Sequence, residues 1–145
     1  MPSSARTLVA NFSQVTLPNT AVRSFSSSTY TPGQPLTVTI VATPDPADPF
    51  MVYAVEDGIS STPGGPTLDL ATWNVTNVDN GGAYTPGSAN DIRKMEWGLY
   101  FDSTPRTLHY TLTPPVGTTG TLYWKGNAAF NSVSPLVTGQ STLTQ

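Results

Sequence analysis

Short runs of strict apolar–polar alternation, each cut off by proline, glycine or asparagine, constrain this chain more than any other feature. In "TPGQPLTVTI" (31–40) a Pro-Gly turn is followed by Leu36, Val38 and Ile40 on one side and Thr37 and Thr39 on the other. "RTLHYTLT" (106–113) repeats the pattern, with Leu108, Tyr110 and Leu112 opposed to Thr107, His109 and Thr111. A period of two buries one face of a sheet and cannot build the stripe of a helix. Weaker versions predict strands at 17–25, with Pro18 marking an edge or bulge, at 71–78, at 91–101 (one or two short strands around Gly98), at 121–130 and at 133–142. Residues 50–56, "FMVYAVE", are apolar almost throughout. They predict a central strand covered on both faces and closed by Asp57-Gly58.

The punctuation between these runs is equally regular. "PDPADP" (44–49) stops the second strand, and Asp79-Asn80-Gly81-Gly82 predicts a tight turn with positive φ. Residues 59–70, "ISSTPGGPTLDL", read as a long loop. No segment has helical periodicity. The expected fold is all-β: a two-sheet antiparallel β-sandwich, immunoglobulin-like, of about eight strands. Residues 1–16, polar with scattered apolar positions, read as an extended N-terminal arm, and 17–145 as a single sandwich domain.

Composition narrows the function classes. Ser and Thr make up about a quarter of the 145 residues, and only 10% are charged. Three Trp, six Tyr and five Phe supply the buried area that a disordered Ser/Thr/Pro-rich chain would lack. The net charge is −3, and Arg6, Arg23, Arg93, Lys94, Arg106 and Lys125 are scattered. They form no patch to neutralise a phosphate backbone, so nucleic acid is not an expected partner. No apolar run approaches membrane-spanning length. The absence of cysteine excludes disulfides, a thiol nucleophile and thiolate metal sites. "MPSSARTLVANF" carries no apolar leader core. The expectation is a chain made and used without export by the general pathway, or a piece of a larger secreted protein.

Chemistry-bearing residues are few. His109 falls on the outward face of its strand between two threonines, with no triad companion readable nearby, and is read as an exposed, solvated histidine. Asp45, Asp48, Glu56 and Asp57 bracket the third strand and could hold Ca²⁺, but no run has the alternating ligands of a calcium loop. They read as turn-formers and solubilising charges. A carboxylate pair for glycoside hydrolysis drawn from Glu56, Asp57, Asp79 and Glu96 would need a deep cleft, which a small sandwich rarely has. Trp73, Tyr84, Trp97, Tyr100, Phe101, Tyr110, Tyr123 and Trp124 could form a sugar-stacking platform, though core filling is the expected role. Asn11-Phe12-Ser13 and Asn74-Val75-Thr76 match the glycosylation pattern, which is common by chance. No catalytic, cofactor-binding or metal-binding residue is assigned, and no cofactor is expected.

Taken together, "YTPGQPLTVTI" (30–40), "YAVED" (53–57), "NVDNGGAY" (77–84), "MEWGLYFDSTPRTLHYTLTPP" (95–115) and "GTLYWKGNAAFN" (120–131) resemble a β-sandwich module that recurs in large bacterial secreted and surface proteins. The resemblance spans about residues 22–140. In that module a short Pro-Gly-Trp turn usually follows the acidic pair, whereas here "GISSTPGGPTLDLATW" (58–73) takes its place. Partner contacts are expected to differ there. The resemblance implies a stalk or spacer role without an active site. Together with the polar arm and the missing apolar leader, this makes the expected function a non-enzymatic structural subunit that self-associates as a homo-oligomer and decorates or braces a larger particle. The specific case is a decoration protein of a tailed-phage capsid shell, located in the virion and made in the host cytoplasm. The alternative is an extracellular spacer, adhesive or glycan-binding module.

Overall fold

The computed structural model describes residues 19–65, 68, 70–85, 94–131 and 133–145. The arm at 1–16, the remainder of the predicted first strand at 17 and 18, and residues 91–93 lie outside the described residues. Ten strands follow in order: β1 (Thr20–Phe25), β2 (Leu36–Thr43), β3 (Tyr53–Ser60), β4 (Asn74–Thr76), β5 (Ala83–Thr85), β6 (Lys94–Tyr100), β7 (Arg106–Thr113), β8 (Thr121–Phe130), β9 (Thr138–Gly139) and β10 (Thr142–Thr144). A single 3-10 turn, Leu70–Thr72, is the one helical element among the described residues.

The strands form two five-stranded sheets, ordered β4-β7-β2-β1-β9 and β10-β8-β3-β6-β5. All pairings are antiparallel except that of β1 with β9. Taken in chain order, β1, β2, β3, β4, β7, β8 and β10 reproduce the seven-strand immunoglobulin arrangement, four strands on one sheet and three on the other. Strands β5 and β6 are inserted before β7, and β9 before β10. The chain is an immunoglobulin-like β-sandwich.

Its core follows directly from the alternation. The β2–β7 register sets Leu36 opposite Leu112, Val38 opposite Tyr110 and Ile40 opposite Leu108. All six side chains are buried, each contributing about 1.5–3 kcal/mol of transfer free energy. A slip of one residue would turn all of them to water, so the pattern fixes the register. Rings from the facing sheet complete the layer: Trp97 on β6 packs against Tyr110 at 6.0 Å, and Trp124 on β8 against Phe25 at 4.5 Å.

Several sequence expectations change. The third strand does not close at Asp57-Gly58 but runs on through both to Ser60, because Asp57 points inward and is neutralised there. Nor is that strand covered on both faces: Phe50 is exposed, and Ala54 and Glu56 line an open groove. The predicted strand at 133–142 breaks into β9 and β10, with Gly139 at φ 85 letting the chain pass from one sheet to the other. Strand β5, only three residues long, has no counterpart in the sequence reading.

Candidate functional site

Three constellations contain Asp57, Asp79, His109, Glu56 and Glu96; a fourth, in which Arg106 pairs with Asp102 and Tyr53 OH, lies apart from them. The first is hidden between the sheets. Arg23 on β1 and Asp57 on β3 are both buried, and Arg23 Nε donates to Asp57 Oδ2 at 3.0 Å while its Nη2 donates to Oδ1. Tyr110 OH donates to Asp57 Oδ2 at 2.9 Å and accepts from Trp124 Nε1 at 2.9 Å. Arg23 Nη1 reaches the Gln140 carbonyl at 3.1 Å. Burial pushes the Asp57 carboxyl up, opposed by the guanidinium and by the tyrosine hydroxyl. With both oxygens committed to these donors and its side chain buried, Asp57 faces the core and does not gather with Asp45, Asp48 or Glu56 in a shared site. The role of solubilising turn-former is corrected accordingly: this carboxylate staples the two sheets.

The second constellation seals an edge. His109 Nδ1 lies 2.7 Å from Asp79 Oδ2, so Nδ1 carries a proton and donates it to the carboxylate. The His109 main-chain N–H donates to Asp79 Oδ1 at 2.7 Å, and Asp79 N–H returns a bond to the His109 carbonyl. Asn80 Nδ2 adds a bond to the Thr107 carbonyl at 2.8 Å. Burial pulls the Asp79 carboxyl up, but the His109 main-chain and ring bonds outweigh it and hold the group below its usual value. The histidine expected to be merely solvated therefore has an acidic partner. Sequence gave no sign of it, because the two residues lie 30 positions apart. The pair blocks the free edge of β7 beyond β4, a common device against edge-to-edge pairing.

The third constellation is an open groove of about 670 Å³ on the outer face of the second sheet. Its floor is set by register: Ala54 pairs with Ala129 and Glu56 with Asn127, while Glu56 also pairs with Glu96 on the other side. Lys94 Nζ contacts Glu56 Oε2 and lies 3.2 Å from Glu96 Oε1, and Asn127 Nδ2 donates to Glu56 Oε1 at 3.0 Å. Burial raises Glu56, but the bonds from Asn127 and Lys94 more than offset this and hold its carboxyl below the ordinary range. Lys94 is correspondingly raised, chiefly by its bond to Glu56. Of the four carboxylates considered for glycoside hydrolysis, only Glu56 and Glu96 meet. A general acid needs a raised carboxyl, and Glu56 is shifted the other way.

The groove owes its shape to a bulge. Tyr53 pairs with Tyr100 and Val55 with Trp97, so Gly98 and Leu99 together stand opposite Ala54 alone. Gly98 has φ +109, and a Cβ there would come within 2.9 Å of the Tyr53 carbonyl and 3.0 Å of Ala54 Cα. The extra residue redirects the strand and leaves Leu99 63% exposed on the groove wall. Across the floor, Leu136 pairs with Asn127 and is 62% exposed.

The other candidates separate. Asp45 and Asp48 bond the main-chain N–H groups of Ala47 and Phe50, and Asp48 also accepts from Asn131. No group of three metal-ligating side chains occurs among the described residues. Trp97, Tyr110 and Trp124 are core, and Trp73, Tyr84 and Tyr100 pack against it. Phe101 is exposed instead. Asn74 of the second sequon is exposed on β4; Asn11 lies outside the described residues.

No family model matches the chain, and no curated protein matches it. Among solved structures it is similar to an uncharacterized protein from Nocardia farcinica whose crystal structure reveals an immunoglobulin-like fold. The two are 11% identical, the match covers 86% of this chain and 96% of that one, and the TM-score is 0.44.

Proposed function

We propose that this chain is a non-enzymatic structural protein, a β-sandwich subunit that decorates or braces a larger particle, with a tailed-phage capsid shell as the specific case. The observation that carries the reading is the distribution of exposed apolar side chains. Phe50, Leu99, Phe101, Val133 and Leu136, five of the eight large ones exposed among the described residues, lie on or beside the strands of the second sheet. Concentrated exposure of this kind marks a surface that meets another macromolecule. The titratable side chains support the same reading, since Asp57, Asp79 and Glu56 are each engaged in holding the fold. On this proposal residues 1–16 serve as an arm that lashes neighbouring subunits, and the working location is the virion.

The test is addition of the purified chain to particles that lack it, followed by sedimentation. The full chain should co-sediment, and a variant lacking residues 1–16 should keep its circular dichroism spectrum but stay in the supernatant. Equal binding by the truncated chain would remove the arm from the mechanism, and no binding by either would end the capsid reading.

A second reading, an extracellular spacer, adhesive or glycan-binding module, is favoured by the resemblance to bacterial surface modules and by the bare ring of Phe101, which is 74% exposed. A glycan array probed with the native chain and with Phe101→Ala distinguishes it. Trp124 offers no such platform, being buried beneath Phe25.

A further inference from the structure

We infer that the groove on the outer face of the second sheet seats this chain's own N-terminal segment, with Arg6, Val9 and Phe12 placed in turn along β6. The inference rests on reading residues 1–16 as an arm and deepens it by giving that arm a landing place in the free subunit.

The end from which the segment departs is the end at which the groove opens. Thr20 pairs with Thr43, and Asn19 Oδ1 accepts from the Asp45 N–H at 2.7 Å, so β1 begins where β2 runs into β3. Tyr53 at the start of β3 pairs with Tyr100 and Phe130 at the ends of β6 and β8. Ala54, Leu99 and Ala129 lie one residue in from that row and line the groove. From Asn19 the path crosses ~10 Å between the sheets and ~10 Å more over two strand spacings to reach β6. Seven extended residues span ~23 Å, which brings residue 12 to the mouth of the groove.

The order of side chains agrees on the two sides. Moving inward from the mouth, the outer face of the β6 segment presents Phe101, then Leu99 beside the Gly98 bulge, then Glu96. Read back from Asn19, the segment presents Phe12, then Val9, then Arg6. Its three-residue steps cover ~10 Å each, close to the ~7–10 Å between successive positions on β6. Val9 then lies against Leu99 over the methyl floor of Ala54 and Ala129, and Phe12 meets the exposed ring of Phe101.

Charge selects the same placement. Arg6 is the sole charged side chain in residues 1–18. Glu56 and Glu96 are two carboxylates with one ammonium, Lys94, between them, so this row carries a net −1. Lys125 stands on β8, across β3 from Glu96. The carboxylate side of the face is therefore the side along which the segment runs, and Arg6 approaches Glu96 from the mouth while Lys94 flanks it from within. Because the segment is tethered to the sandwich, seating needs no partner molecule and is helped by an effective concentration of about millimolar.

Cysteine pairing tests the inference in the full chain, which has no cysteine of its own. Val9→Cys is combined either with Ala54→Cys on the groove floor or with Val41→Cys. Val41 is an exposed site on the outer face of the first sheet, near the start of β1. Oxidised glutathione is added to dilute protein, and mass spectrometry and non-reducing electrophoresis follow the disulfide. The Ala54 pair should close within one chain about tenfold or more faster than the Val41 pair, although Val41 is within easier reach of the tether. Adding Arg6→Glu should slow the Ala54 pair by about threefold. Circular dichroism of the reduced variants confirms that each remains folded. Equal rates at the two sites, no closure at Ala54, closure only between chains, or a rate unmoved by Arg6→Glu overturns the proposal. Particle binding reports separately. A segment that pairs selectively with Ala54 in a chain that ignores capsids sinks only the capsid reading, and a capsid-binding chain whose segment never reaches Ala54 sinks only the groove seat.

Discussion

Removing the Asp57 carboxylate should be among the most damaging single changes available to this protein. The group accepts from Arg23 Nε at 3.0 Å, from Arg23 Nη2 and from Tyr110 OH at 2.9 Å, and Arg23 itself is only 1% exposed. In Asp57→Ala the guanidinium keeps its bond to the Gln140 carbonyl but loses the carboxylate, and it stays buried. Breaking one half of a buried pair costs about 3–5 kcal/mol, mostly the penalty of the charge left behind. For a domain of this size that lowers the thermal midpoint by about 10–15 °C. Tyr110→Phe removes a donor to Asp57 and an acceptor for Trp124, and should cost about 1–3 kcal/mol. The decisive assay is a double-mutant cycle in urea with Asp57→Leu and Arg23→Met. If the pair works as described, the double variant is less destabilised than the sum of the singles by about 2 kcal/mol or more. A loss below about 1 kcal/mol for Asp57→Ala, or strict additivity in the cycle, would refute the reasoning.

Two further outcomes are expected. Gly98→Ala combines a positive φ with a Cβ jammed against the Tyr53 carbonyl and Ala54, so it should destabilise by about 2 kcal/mol or more and disturb the Leu99 wall; equilibrium unfolding measures the loss, and a neutral result would mean the bulge relaxes freely. Glu56, Asp79 and Asp102 all have carboxyls held below their ordinary values, Asp102 chiefly by its bond to Arg106. A depressed folded-state value adds stability that is complete above the unfolded carboxylate range of about 4 and is lost as pH falls through the lower folded values. Urea midpoints between pH 6 and pH 2 should therefore drop on the acid side, and less steeply in Asp79→Asn; identical acid limbs would remove Asp79 from the account.

Much of the fold was legible because alternation is a local signal. β2 and β7 stand where "LTVTI" and "TLHYTLT" predict, with the inward residues as expected. What escaped depends on register between distant strands. "DG" signals a turn, but here its aspartate meets Arg23 from the other sheet, 34 residues away, and the strand continues. The Glu56–Glu96 pairing and the Asp79–His109 pairing are likewise products of strand placement and cannot be read from spacing. The Leu99 wall was hidden for a different reason. A bulge shifts the alternation by one residue, so a leucine that periodicity would bury is turned outward.

The split of the segment after β8 into β9 and β10 has a consequence for how the molecule is made. β9 completes the edge beside β1, and Gln140 caps Arg23 and Phe25 across more than a hundred positions of sequence. Tyr30 likewise waits for the Thr144 carbonyl. During synthesis, the chamber holding Arg23 and Asp57 stays open on that side until residues 138–144 have left the ribosome. Pairings this distant in sequence close slowly, on the millisecond-to-second scale of sandwich folding. An unfinished chain thus exposes a charged pair in its half-built core, and a stall late in translation would leave it there.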